Sequence, residues 1–323
     1  MCVDFTNLNI ACSKDSYPLP NIDSLVDQVS RCGLLSFMDA YSGYNQIRMH
    51  PEDKDKTAFM GVKANYCYQV MTFGLKNAGA TYQRMMERIL QLMLGRNVEA
   101  YVDGMIVTSA NEVGHAEDLK ELFDTINKYK LRLNPEKCAF GVKAGKFLGF
   151  MLTERGIEAN PDKCAAIINM KSPSCIREVQ QLTGRMASLA RFLAKSRDRG
   201  HLYFQCLMKN EKFQWTPECE QALLELKEYL GRPPVLSRPK AGFPLQLYIV
   251  VTQYAISSVL VQEREEIQRQ IYFVSRLLHG AEAIVVSARK LRPYFHRFSV
   301  IVKTDLPIKQ VLKKMDMTCH LVK

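Results

Sequence analysis

The sequence predicts an α+β chain, and three observations carry that prediction. Short β-rich runs alternate with helical patterns up to Phe150, helices alone fill the stretch after Pro161, and strands return at Leu245. Breaks near Asn160 and at Arg232-Pro233-Pro234 divide the chain into segments 1–159, 160–233 and 234–323.

In the first segment, Pro18-Leu19-Pro20 leads into a helix over Asn21 to Val29, and apolar residues at helical spacing predict another over Ala80 to Leu94. Val98 to Val102 and Met105 to Thr108 are short apolar runs around Asp103-Gly104, and Asp-Gly between such runs signals a tight hairpin, with glycine suited to a type I′ turn. Taken alone, that motif is a plain turn. Asn111 is competent to cap a helix from Glu112 to Tyr129, and Asn134-Pro135 forbids its continuation. Phe147-Leu148-Gly149-Phe150 reads as a strand edge. Helices follow over Arg177 to Phe192 and Glu218 to Leu230. The last segment offers strands at Leu245 to Val251, Ala255 to Gln262, Gln270 to Ser275 and Ser299 to Lys303, as an α/β layer would.

With 323 residues, of which 47% are apolar, the chain can bury one large core or two smaller ones, and its length favours two or three domains. Its formal charge of +11 attracts polyanions, nucleic acid foremost, although ordinary basic solubility gives the same number. The ten cysteines are scattered and form no Cys-x-x-Cys, which reads as reduced thiols in an intracellular protein. Met1-Cys2-Val3-Asp4 has no signal-peptide character, and no apolar run reaches bilayer length. The six histidines lie apart without zinc-like pairing, so each reads as structural or superficial.

Chemistry concentrates in three stretches. Asp39 ends the apolar run of Phe37-Met38-Asp39-Ala40-Tyr41-Ser42-Gly43-Tyr44, Phe73-Gly74-Leu75-Lys76-Asn77-Ala78-Gly79-Ala80-Thr81-Tyr82-Gln83 lies between, and Tyr101-Val102-Asp103-Gly104 closes the set. In this order the three stretches resemble the palm of a reverse transcriptase from a gypsy-type (Metaviridae) LTR retrotransposon, as found in plants. Val3-Asp4-Phe5-Thr6-Asn7-Leu8-Asn9, Leu131-Arg132-Leu133-Asn134-Pro135-Glu136-Lys137-Cys138, Phe213-Gln214-Trp215-Thr216-Pro217 and Ala288 to Phe295 extend the resemblance over the whole chain.

The resemblance implies a right-hand polymerase with partial fingers and palm in 1–159, a helical thumb in 160–233, and a degenerate, truncated RNase H-like connection module in 234–323. It implies a primer–template of RNA and DNA, deoxynucleoside triphosphates, and two Mg²⁺ ions. Such ions, roughly 3.5–4 Å apart, stabilise the attacking 3′-hydroxyl and the leaving oxygen, and they need closely packed carboxylates. By resemblance Asp39 and Asp103 are catalytic metal ligands. Tyr44, Phe73 and Gly74 line the nucleotide pocket, and Phe147, Leu148 and Gly149 grip the primer. Without that context, Tyr44 and Phe73 read as core aromatics.

Gly104 stands where the family has its third carboxylate, and glycine supplies no oxygen. The resemblance puts the Lys and Arg that clamp the triphosphate before Val3, so their contacts are expected to be missing from this sequence, and Thr72 stands where proline is usual. In the last segment Val250 takes the place of the first RNase H-type acid, the block around Glu282 is short, and Asp305 is the acid that survives. The expectation is an impaired polymerase without RNase H activity.

Arg185, Arg191, Lys195, Arg197 and Arg199 match the thumb and are expected to contact nucleic acid. Arg289, Lys290, Arg292 and Arg297, among Tyr294, Phe295 and Phe298, form either a stacking surface or a solvated basic face. Three roles stay open: a damaged RNA-directed DNA polymerase, a non-catalytic nucleic-acid-binding or structural subunit, paired with itself or with a partner polymerase subunit, and a relic.

Overall fold

The computed structural model describes residues 3–30, 33–194, 200–203, 206, 213–251, 255–277 and 289–304. The backbone gathers into two units, Met1–Leu148 with Leu152–Glu154 and Gly149–Met151 with Arg155–Lys323.

The first unit runs through α1 (Thr6–Ala11), α2 (Ile22–Val29), β1 (Leu34–Asp39), α3 (Pro51–Lys54), β2 (Phe59–Met60), β3 (Asn65–Tyr66), α4 (Ala78–Ile89), β4 (Val98–Tyr101), β5 (Gly104–Ser109), α5 (Glu112–Lys128), β6 (Ala139–Val142) and β7 (Gly145–Phe147). Its antiparallel sheet has the order β4-β5-β1-β6. One face is sealed by a single cluster: Met38 and Ala40 of the β1 edge, Tyr82 and Met86 of α4, Met105 and Val107 of β5, and Leu122 and Ile126 of α5. Each Leu, Ile, Val or Met side chain among them contributes about 1.5–3 kcal/mol on burial, so this cluster fixes the sheet against the two helices.

Local signals set the helix starts. Asn21 accepts from the Ser24 amide and Asn111 from the Gly114 amide, as capping residues do. Helix α4 ends at Ile89, short of the expected Leu94, yet Leu90 and Met93 remain buried. The apolar spacing therefore outlasts the helix, because the turns that follow still point inward.

The chain leaves the first unit along β8 (Phe150–Thr153). The second unit contains β9 (Gly156–Ala159), α6 (Pro161–Ile168), α7 (Ile176–Ser188), α8 (Pro217–Gly231), β10 (Leu245–Val251), β11 (Ala255–Arg264), β12 (Ile267–Leu277), α9 (Arg292–Phe295) and β13 (Val300–Thr304). Its sheet has the order β12-β11-β10-β13, with β13 parallel to β10 and the other pairs antiparallel. Leu245, Leu247 and Ile249 alternate inward from β10 against Leu260, Ile271, Tyr272, Leu291 and Tyr294. Val250, one residue out of that phase, is exposed. Among the described residues no helix is long and apolar enough to cross a membrane.

Candidate active site

The site forms where three strands end together. In the β1–β5 pairing Asp39 lies directly opposite Gly104, and in the β4–β5 pairing Tyr101 does. Opposed residues of an antiparallel pair share a face, with Cβ atoms about 4.5–5.5 Å apart. Position 104 is thus the cross-strand neighbour of the Asp39 carboxylate.

The hairpin is displaced by one residue from the expected Asp103-Gly104 turn. Val102 and Asp103 form the loop, and Gly104 is the first residue of β5. The left-handed backbone falls on Val102, at φ 53, while Gly104 has none. A type I′ turn at Asp103-Gly104 is therefore corrected. A β-branched residue at positive φ costs on the order of 1–3 kcal/mol and must be held by its surroundings. Buried Gln83 on α4 does this: its Oε1 accepts from the Val102 amide at 2.7 Å, while its Nε2 donates to the Ala100 carbonyl at 3.3 Å. The Ala40 amide also donates to the Asp103 carbonyl at 3.0 Å.

Asp39 and Asp103 supply carboxylates here, and among the described residues no three Asp, Glu, His or Cys side chains come together as a metal-holding group. Asp39 faces a cation, with Lys137 Nζ 3.6 Å from Oδ1. Two Mg²⁺ ions need several anionic oxygens in close array. Two carboxylates, one of them facing a lysine, do not fit a two-Mg²⁺ centre.

Of the residues expected at the nucleotide, Tyr44 and Phe73 are in contact. Tyr44 packs edge-on to Phe73 at 5.0 Å and to Tyr82 at 5.7 Å. Its phenol is held above the ordinary value by burial and then by Asp103 and Tyr101. Phe73 is exposed, and Gly74 adopts φ 92 with its carbonyl taking the Asn9 amide at 2.7 Å. Tyr82 lies fully buried below this layer, its phenol pushed up by burial and by Asp103 and Asp39. Its hydroxyl finds no partner among the described residues. Sequence reading passed over Tyr82, Gln83 and Lys137 as functional groups, because their roles arise from neighbours far along the chain.

Of the residues expected at the primer, Phe147 is buried against Phe37 with ring centroids 6.4 Å apart. Leu148 and Gly149 form a left-handed turn, at φ 48 and φ 84. In the helical segment, Arg191 departs from expectation. It is 5% exposed, with its guanidinium 4.8 Å from the Tyr272 ring and 5.6 Å from that of Phe150, and it donates to Tyr294 Oη at 3.3 Å. A cation held among aromatic faces in a core does not reach a duplex. Arg185 is partly buried and spends one nitrogen on the Ala166 carbonyl at 2.6 Å, near the end of α6. Lys195, Arg197, Arg199 and Asp305 lie outside the described residues.

The fold is that of a reverse transcriptase with an RNase H-like module. Residues 1–152 match the family described as reverse transcriptase (RNA-dependent DNA polymerase), and residues 215–302 match the RNase H-like domain found in reverse transcriptase. Over 316 residues, 94% of this chain, it is 30% identical to the retrovirus-related Pol polyprotein from transposon 297 of Drosophila melanogaster, of which it spans 29%. It is 27% identical over 266 residues to the transposon Tf2-3 polyprotein of Schizosaccharomyces pombe, covering 82% of this chain and 20% of that one. The foamy viral protease-reverse transcriptase in complex with RNA/DNA hybrid superposes with a TM-score of 0.83 at 17% identity, covering 98% of this chain and 44% of that one. The same viral protein in complex with dsDNA also gives 0.83, at 16% identity and over 68% of that chain.

Proposed function

We propose that the chain is the reverse transcriptase part of a gypsy-type transposon Pol polyprotein, of a plant-like lineage, which keeps primer–template recognition while nucleotidyl transfer is disabled or strongly impaired. In this reading residues 1–159 carry fingers and palm elements, 160–233 the thumb and 234–323 an RNase H-like module without nuclease activity. Tyr44, Phe73 and Gly74 face the incoming deoxynucleotide, and Phe147, Leu148 and Gly149 lie at the primer strand. The observation that carries the reading is the register placing Gly104 opposite Asp39. A polymerase site of this kind acts by placing metal charge where phosphate charge develops, and a missing carboxylate weakens that placement. A loss of about 4 kcal/mol of transition-state stabilisation corresponds to roughly a thousandfold in rate.

The Lys137–Asp39 contact at 3.6 Å favours a second reading, a non-catalytic nucleic-acid-binding subunit, because a lysine supplies Asp39 with positive charge without metal. Mg²⁺-dependent extension of a primed RNA template decides between them, using the wild-type chain, Asp39→Ala and Gly104→Asp. Weak extension that Gly104→Asp raises and Asp39→Ala abolishes supports the impaired polymerase. Binding of the primed template with no extension by any of the three supports the binding subunit.

A further inference from the structure

We propose that the Lys163 ammonium, seated against the Gly149 turn, is a contact for a backbone phosphate of a bound nucleic-acid strand. This rests on the nucleic-acid-binding reading above and adds to it the residue that carries the charge. Gly149 holds φ 84, and a Cβ built there would lie 2.7 Å from Lys163 Nζ and 3.5 Å from its Cε. The lysine end group therefore sits on the bare α-carbon of a half-buried turn. Glycine at that place leaves the room the ammonium occupies, which a side chain would take.

Local electrostatics give the ammonium no reason to be there. Lys163 is the third residue of α6, whose first turn is the positive end of the helix dipole, so a cation there is disfavoured. The Asp162 amide of that turn is already satisfied by the Asn160 side chain at 2.9 Å. Among the described residues Lys163 has no carboxylate within ion-pair distance. Half-buried, it lays its stem along the protein and presents its charged end at the turn. An unpaired cation at a half-buried turn suits an anion brought by a ligand, and for a chain of net charge +11 that binds nucleic acid this anion is a phosphodiester.

The test measures affinity of the full chain for a labelled DNA primer on an RNA template across a KCl series, with Lys163→Gln, Lys163→Met and Lys163→Arg beside wild type. Losing one phosphate contact lowers the slope of log K against log salt by about 0.9. Lys163→Gln and Lys163→Met should show that drop, with affinity at low salt reduced about three- to tenfold. Lys163→Arg should keep both, and thermal melting should be unchanged in all three. Wild-type slope and affinity in Lys163→Gln and Lys163→Met overturn the assignment while leaving nucleic-acid binding intact. A wild-type chain that binds no primed template overturns both.

Discussion

Asp39 and Gly104 are direct cross-strand partners, and the backbone of Gly104 makes no use of being glycine. A Cβ built at Gly104 meets the Tyr101 carbonyl oxygen at 3.7 Å, an ordinary contact, and nothing nearer. An aspartate at this position enters an unstrained strand and lies beside the Asp39 carboxylate. Without metal, Gly104→Asp should lower stability by about 1 kcal/mol through like-charge repulsion on one face. With Mg²⁺ its melting temperature should rise with ion concentration while wild type barely responds, since an ion that binds the folded state alone stabilises it. Melting curves across a Mg²⁺ series check this, and equal responses from both chains would contradict the geometry.

Gln83 holds the strained end of the hairpin. Gln83→Leu keeps the volume but leaves the Val102 amide and the Ala100 carbonyl without that partner. The expected cost is about 2–3 kcal/mol, read by urea denaturation, because buried groups deprived of partners lose their hydration in full. A loss under about 0.5 kcal/mol would mean that Val102 keeps its positive φ without Gln83.

Tyr82 buries a hydroxyl that finds no partner among the described residues. Tyr82→Phe removes the hydroxyl and leaves the ring that packs on Tyr44 and Gly43. This should raise stability by about 1 kcal/mol in denaturant titration, since an unpaired buried polar group is a net cost. A fall in stability would show that the hydroxyl has a partner in solution.

His115 sits inside a polar chain: its Nε2 meets Ser36 Oγ at 2.7 Å, its Nδ1 meets Ser109 Oγ at 2.9 Å, and Ser109 in turn bonds Asp118. Ser36 Oγ takes the Gly141 amide at 3.0 Å, so its proton points at Nε2 and the neutral Nδ1–H tautomer satisfies every member. Burial lowers the His115 pKa from 6.5, outweighing the opposing charge of Asp118. The unfolded chain then binds the proton more tightly than the folded one. This contribution to stability is complete above the unfolded value and is lost as pH falls through it towards the folded value. Stability measured from pH about 7.5 to 5 should decline in wild type and should decline less in His115→Phe, which costs about 2 kcal/mol at neutral pH. Parallel pH profiles would remove His115 as the source.

Local signals made the helices readable. The caps at Asn21 and Asn111 and the Pro161 and Pro217 starts need only neighbours in sequence, and the helices begin there. The alternation of Leu245, Leu247 and Ile249 likewise announced β10 and its inner face. Asp39, Asp103 and Gly104 were legible as a set through their motif order, and the sheet does bring them to one edge. The turn itself was misread because Asp-Gly is a local signal, whereas the register is set by β1 and by Gln83 from another helix. Arg191 looked like a ligand contact because its burial depends on Tyr272 and Tyr294, distant in sequence, and charge alone cannot announce that. Lys137 and Lys163 had the same defect in reverse, being ordinary lysines until the fold set one against Asp39 and the other against Gly149.

The ordinary backbone at Gly104 has a consequence for heredity. Because φ strain falls on Val102, an acid can stand at position 104 without backbone strain or a clash that needs relief elsewhere. Glycine codons ending in a pyrimidine differ from those of aspartate by a single second-position base. On the proposed reading, position 104 is a toggle that point mutation can move in either direction, with the scaffold unchanged.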